Sequence, residues 1–224
     1  KSPRAFAQLV RFALYLVREK IDIVHATSLY PNVFALAAAA LARTPVRIAS
    51  VRDMGTMWTE GQLKLQRAAC RLADAVVVNA EAVAARLEGE GYDPGRIALI
   101  RNGIDMSPRP AGRPTKLRDE LGLADDAPLI GVISRFHAVK RLEDYVDAAA
   151  LLAHRFPAAR FLLVGPIHDG IESERGAADI AERARLAGLA GRFLLTDGRD
   201  DIAEILPELT ASVLCSLSEG LSNT

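Results

Sequence analysis

Two cations five residues apart are the side chains best suited to chemistry. Arg135 and Lys140 lie in SRFHAVKR, residues 134–141, directly after the apolar run LIGVIS. Arg offers a planar fork that matches phosphate oxygens, and Lys a mobile point charge. A helix opening at Lys140 adds the partial positive charge of its N-terminus, so the loop suits a diphosphate. The competing reading is a loop whose cations are simply solvated. A second stretch, SLSEGLSNT at 216–224, follows another apolar run. Its Ser, Gly and Asn permit a tight turn presenting backbone N–H groups, and Glu219 can accept hydrogen bonds from sugar hydroxyls. A helix-capping turn accounts for the same residues. RNGID, 101–105, reads as a structural turn, because Asn and Gly both tolerate positive φ.

The histidines and aspartates divide between chemical and structural readings. His25 stands near the end of the strand IDIVHA, where an active-site group belongs and where a structural His is equally at home. His137, between the two cations, can touch a phosphate. His154 falls near a helix C-terminus, where a surface cation is favourable, and His168 in GPIHDG has no assigned role. No two histidines have metal-ligand spacing. DGRDD at 197–201 can hold a divalent ion through Asp197, Asp200 and Asp201. The apolar helix start IAEIL behind it favours Asp200 or Asp201 as an N-cap instead.

Stepwise periodicity supplies the elements that must position these groups. Helical patterns cover 4–20 (inward face Phe6, Leu9, Val10, Ala13, Leu14 and Val17), 32–43, 60–73, 80–90, 140–155, 171–187 and 200–206. Strands are expected at 21–26, 46–51, 75–79, 96–100, 129–134, 160–164, 192–196 and 212–216. Most are continuous apolar runs, as when helices cover both faces of a parallel sheet. The Pro- and Gly-bearing stretch 101–114 divides the alternation into two blocks of four strands. The fold class is therefore α/β, with two doubly wound Rossmann-like domains whose ligands sit at the carboxyl ends of strands.

Composition removes several function classes. The 224 residues carry 28 basic and 28 acidic side chains, so the basic excess of a nucleic-acid binder is missing. Cys70 in a helical pattern and Cys215 in a strand pattern suggest neither a disulfide framework nor a metal pair, and free thiols fit a reducing compartment. No apolar run reaches the roughly 18 residues that span a bilayer. The opening KSPRAFAQLVRFALYLVREK is interrupted by Gln8 and Arg11 and reads as an amphipathic helix rather than a signal peptide. The chain starts without Met and stops inside a loop, so a fragment is expected.

In order, NGID, then SRF with Lys140 five residues after its Arg, then LLVG, then SLSEGLSNT resemble the retaining GT-B glycosyltransferases of family 4. IDIVHA is similar to that family's Asp-Val-Val-His strand. The resemblance implies a GT-B fold incomplete at both termini. Residues 1–106 would belong to an acceptor-side domain and 107–224 to a nucleotide-sugar domain. It implies sugar transfer, with retention, from a nucleotide-diphosphate sugar to an unknown glycan, lipid or small-molecule acceptor. Arg135 and Lys140 would hold the diphosphate and Glu219 the donor sugar. Gly220, Leu221, Ser222 and Asn223 would line sugar and phosphate through their main chain, and His25 occupies the family's histidine position. Thr27 stands where many members have a second His, Ser134 where Gly is commoner, and Arg141 where Gly is frequent. The motif's second Glu would fall beyond Thr224, and the family's Gly-rich loop before residue 1. No metal, no organic cofactor and no nucleic-acid partner are expected. Polysaccharide biosynthesis in the cytoplasm is the expected setting, peripheral to the inner face of the membrane if Arg4, Arg11 and Arg18 bring the first helix to a lipid-linked acceptor. Rival readings are a GT-B nucleotide-sugar epimerase and a non-catalytic nucleotide-sugar-binding subunit.

Overall fold

The computed structural model describes residues 3–103 and 116–222. The chain divides into two compact units: Lys1–Ile104 with Ser218–Asn223, and Asp105–Leu217 with Thr224. The linker expected at 101–114 lies largely outside the described residues.

The first unit runs α1 (Pro3–Arg18), β1 (Ile23–Thr27), α2 (Leu29–Leu41), β2 (Val46–Val51), α3 (Glu60–Cys70), β3 (Ala75–Val78), α4 (Glu81–Gly89) and β4 (Ile97–Leu99). Its sheet is parallel throughout, in the order β1-β2-β3-β4. Leu36, Val51, Val76, Val78, Val83 and Leu87 form its core. The Thr59 hydroxyl and the Gln62 side chain cap the start of α3 reciprocally.

α1 corrects the expected inward face. Ala13 and Leu16 are buried, with Leu9 and Phe12 packed beside them, while Phe6, Leu14 and Val17 are 70%, 63% and 57% exposed. The sequence contains two overlapping apolar stripes. Phe12 selects between them by stacking on Phe34 of α2, with ring centroids 5.8 Å apart.

The second unit runs α5 (Lys116–Leu121), β5 (Leu129–Ile133), α6 (Leu142–Arg155), β6 (Arg160–Val164), α7 (Ile171–Leu186), β7 (Phe193–Thr196), α8 (Ile202–Ile205) and β8 (Ala211–Ser212). Its parallel sheet has the order β7-β6-β5-β8. β6 shows why FLLV, residues 161–164, is apolar throughout. Phe161 and Leu163 pack with Tyr145 and Val146 of α6, and Leu162 and Val164 pack with Leu117 and Ile205 on the other face. α5 is additional to the expected elements. Its Arg118 is fully buried, donating to Glu208 Oε2 at 2.9 Å and to the carbonyls of Ala124, Ala127 and Glu208.

β8 is shorter than the expected 212–216. It pairs with β5 only at Ala211 and Ser212, so Cys215 lies beyond the strand. β5 has the chain's next strand, β6, on one side and β8 on the other. The loops after β5 and β8 therefore diverge at a topological switch point, where open α/β sheets place their ligands.

Candidate functional site

The loop after β5 is built around a plug. Ser134 still donates to the Val164 carbonyl at 2.9 Å, extending the ladder one residue beyond β5. Gly165 faces the Ser134 carbonyl so closely that any side chain there would collide with it. Phe136 is 6% exposed and belongs to the core, and Gly176 of α7 lets the helix approach it. With Phe136 turned inward, Arg135 and His137 on either side remain exposed. His137 Nδ1 accepts from the Val139 N–H at 3.2 Å and closes a 3-10 turn, Ala138–Lys140. Lys140 ends that turn, half-buried, and does not open α6, which begins at Leu142.

The displacement has a local cause. Arg141, between turn and helix, takes the left-handed conformation at φ 50°, ψ 45°. Its guanidinium is bidentate to Asp144, at 2.8 and 2.6 Å. Arg141 holds the Asp144 carboxyl below its usual range.

The chain leaving β8 runs along this turn. Leu217 N–H donates to the Val139 carbonyl at 2.8 Å, and Cys215 Sγ donates to the carbonyls of Lys140 and Arg141, both at 3.2 Å. Burial pushes the Cys215 thiol up, so it stays a protonated donor. Ser216 Oγ is buried and without a hydrogen-bond partner. Arg135 forms no ion pair among the described residues and stands at the switch point, where an anion can approach.

Ser218–Asn223 groups with the first unit. Glu219, Gly220 and Ser222 are half-buried, Leu221 is more exposed, and Asn223 lies outside the described residues. A side chain at Gly220 would run into the Arg52 carbonyl and Asn79 Oδ1. Asn102 Nδ2 donates to the Leu221 carbonyl at 3.3 Å, and Arg52 Nη2 donates to Asn102 Oδ1 at 2.6 Å. Neither Asn102 nor Gly103 has positive φ, and the Asn102 side chain clasps Arg52 and Leu221. Ile104 and Asp105 lie outside the described residues. Arg52 and Asn79 were missed in the sequence. Each follows a strand, β2 or β3, and that position was the available signal.

His25 is the third of five residues in β1 rather than at its end, because Ile21 closes the turn after α1 and the strand starts at Ile23. Its exposed ring lies 2.8 Å from Ser50 Oγ, and the Ser50 carbonyl accepts from the buried Asn32 at 3.0 Å.

DGRDD is spent on structure. Asp197 Oδ1 accepts from the N–H groups of Ile167 and Gly198, both at 2.7 Å, which lowers its pKa. Asp201 occupies the N-cap position of α8 but makes no side-chain cap, correcting that expectation; its carboxylate is bidentate to Arg199 at 2.8 and 2.6 Å. Asp200 is exposed. His154 lies in the last turn of α6, and His168 Nδ1 is 3.6 Å from Glu174.

Fold and site together define a class: two parallel α/β units, with a cation-bearing loop at the switch point of the second. Residues 1–107 match the family model for Glycosyltransferase Family 4, and residues 127–224 match that for Glycosyl transferases group 1. A Bacillus subtilis protein named as a glycosyltransferase, EpsF, is 30% identical over 239 residues, covering 98% of this chain and 58% of that protein. D-inositol 3-phosphate glycosyltransferase of Actinosynnema mirum is 28% identical over 153 residues, 66% of this chain and 36% of that one. Anabaena Alr3699/HepE, solved with UDP-glucose, has a TM-score of 0.80 at 21% identity, covering 94% of this chain and 58% of that chain. Sucrose-phosphate synthase of Thermosynechococcus elongatus has a TM-score of 0.74 at 19% identity, covering 96% and 55%. The chain belongs to this glycosyltransferase family and has its GT-B fold, incomplete relative to those structures. It spans 36% and 58% of the lengths of the two curated relatives. Among the described residues no helix is long and apolar enough to cross a membrane.

Proposed function

We propose that the whole protein is a retaining glycosyltransferase that takes its sugar from a nucleotide diphosphate, with residues 107–224 in the donor-binding domain. The observation that carries this reading is Arg135, exposed and outside any described ion pair, on the β5 loop at the switch point. UDP-glucose in the HepE structure supports a nucleotide-sugar donor.

Departure of a nucleotide diphosphate builds negative charge on phosphate oxygens. Preorganised cations that meet that charge are commonly the largest catalytic contribution. Arg135 and Lys140 fill this role. Glu219 accepts from donor-sugar hydroxyls, and Gly220, Leu221, Ser222 and Asn223 offer main-chain groups to sugar and phosphate. With this pair supplying the charge, the reaction needs no metal and no organic cofactor, and attack comes on the face the leaving group vacates. His25, whose ring is hydrogen-bonded to Ser50, is the catalytic candidate of the first unit. The exposed α1 stripe of Phe6, Leu14 and Val17, beside Arg4, Arg11 and Arg18, supports an acceptor met at a membrane surface on the cytoplasmic side, as in polysaccharide biosynthesis.

The test is turnover of the full-length protein with a donor found by thermal-shift screening of nucleotide-diphosphate sugars. Arg135→Ala and Lys140→Ala each lower kcat about 10²- to 10³-fold while the fold survives. Wild-type rates in either variant refute the diphosphate assignment. Epimerised donor without transfer points to the epimerase, and donor binding without turnover to a non-catalytic subunit.

A further inference from the structure

Three neighbouring strands of the first unit end on one stretch of chain. β2, β3 and β4 are parallel and adjacent in the sheet, so their carboxyl ends lie side by side. Arg52 follows β2, Asn79 follows β3, and Asn102 stands beyond β4. The Ile100 N–H donates to the Val78 carbonyl at 2.8 Å and carries the β4 pairing towards Asn102. Ser218–Asn223, which comes after β8 in sequence, groups with this unit. Its Gly220 and Leu221 meet all three of those positions.

Each contact is specific in kind. Gly220 lies so close to the Arg52 carbonyl and Asn79 Oδ1 that a Cβ has no room. The Leu221 carbonyl accepts from Asn102 Nδ2 at 3.3 Å, and Asn102 Oδ1 accepts from Arg52 Nη2 at 2.6 Å. An amide is the side chain that serves both neighbours at once, since its carbonyl accepts while its NH2 donates. Arg52 thereby bears on the stretch twice, by its backbone at Gly220 and through Asn102 at Leu221. Asn79 is 4% exposed, and its Oδ1 is buried without a hydrogen-bond partner. An apolar residue of that size would relieve the unmade bond, so a polar group kept against Gly220 points to a role beyond packing.

We propose that Asn102, backed by Arg52, is a positioning residue for the donor sugar. It acts through the Leu221 carbonyl and touches no substrate. Holding that carbonyl, with Gly220 seated on Arg52 and Asn79, fixes the direction of the Glu219 carboxylate and of the main-chain groups at 220–222. This role rests on the reading that Glu219 and those groups line the sugar. Arg135 and Lys140, assigned to the diphosphate, lie on another loop. The clasp therefore governs how the sugar is held and leaves the nucleoside diphosphate to the cations. Misplacing a positioning group by about 1 Å can cost about 10²-fold in rate.

The test uses the full-length protein with the donor found by thermal shift. It reads kcat/KM for that donor and, by calorimetry, Kd for the matching nucleoside diphosphate. Asn102→Ala is expected to lower kcat/KM about tenfold, in keeping with loss of one hydrogen bond, while Kd changes less than about twofold. Asn102→Asp still accepts from Arg52 but turns an acceptor towards the Leu221 carbonyl, so it falls at least as far. Arg52→Ala falls less and adds little in the Asn102→Ala background, because both residues act through one bond. Equal weakening of donor and nucleoside diphosphate marks a merely structural role and overturns the proposal, as do wild-type kinetics in Asn102→Ala. Arg52 is exposed, so Arg52→Ala carries the test if Asn102→Ala fails to fold, and wild-type kinetics in it then overturn the clasp. Glu219→Gln, measured alongside, separates the two readings. Impaired Glu219→Gln with intact Asn102→Ala refutes the clasp alone, whereas intact Glu219→Gln refutes the sugar assignment beneath it.

Discussion

Arg141 offers a direct measure of how the cation turn is held. Its left-handed backbone costs a residue with a Cβ about 1–2 kcal/mol. Its ion pair with Asp144, between side chains 38% and 44% exposed and so screened by solvent, offsets little of that. Arg141→Ala and Arg141→Gly both delete that pair, so their difference isolates the backbone. Ala keeps the strain; Gly removes it but loses about 0.5–1 kcal/mol to its freer unfolded chain. Gly is therefore expected to be more stable than Ala by about 0.5–1 kcal/mol, reversing the usual order for a residue at a helix start. Trp58 lies in the first unit and cannot report on this turn. Amide hydrogen exchange along α6 can, as can the near-ultraviolet dichroism of Tyr145, whose ring centroid is 5.8 Å from that of Phe193. An Ala variant as stable as the Gly variant refutes the left-handed placement and the account of why α6 starts after Lys140.

Other outcomes follow from contacts already described. Arg118→Ala strands the fully buried Glu208 and is expected to destabilise the second unit by about 3–5 kcal/mol, read from urea denaturation; a paired replacement of Arg118 and Glu208 by Met costs much less. Excess chelator leaves most transfer activity in the full-length protein, and Asp197→Ala lowers it far less than Lys140→Ala, because Asp197 clasps two backbone N–H groups. Loss of transfer restored by manganese or magnesium defeats the cation-pair mechanism. Asp144, Asp197 and Asp201 all have folded pKa values below their unfolded ones. Their contribution to the second unit is complete above about pH 4 and is lost as pH falls through the folded values, so dichroism-monitored stability stays level from neutral pH down to that point before declining. Gly220→Ala lowers turnover, since its methyl meets the Arg52 carbonyl and Asn79.

The strand cores were legible because their burial is two-sided. FLLV in β6 reads as one apolar run, and each of its residues finds a hydrophobic layer on its own face. The β5 loop was legible for the same reason, since a strand end fixes where the next side chains go. What escaped depended on partners distant in sequence. Nothing in α1 alone states that Phe12 stacks on Phe34 and leaves Leu14 outside. DGRDD looked like a cap because the Arg199 claim on Asp201 is not visible in its spacing. Asn102 suggested a turn by its type, whereas its side-chain amide acts through Arg52 and Leu221, far apart in sequence. α5 escaped because a single buried Arg118, tied to Glu208, anchors so short a helix.

The two cysteines sit one in each unit, Cys70 in α3 and Cys215 beyond β8. Burial raises both thiols above their ordinary values, so little thiolate exists in the folded chain at neutral pH. Alkylation of the buried Cys70 must then wait for its unit to open, and that of the half-buried Cys215 for its hydrogen bonds to break. Under a short pulse of reagent, the two modification rates become independent clocks, Cys70 timing excursions of the first sheet and Cys215 release of the Lys140 turn whose carbonyls it holds.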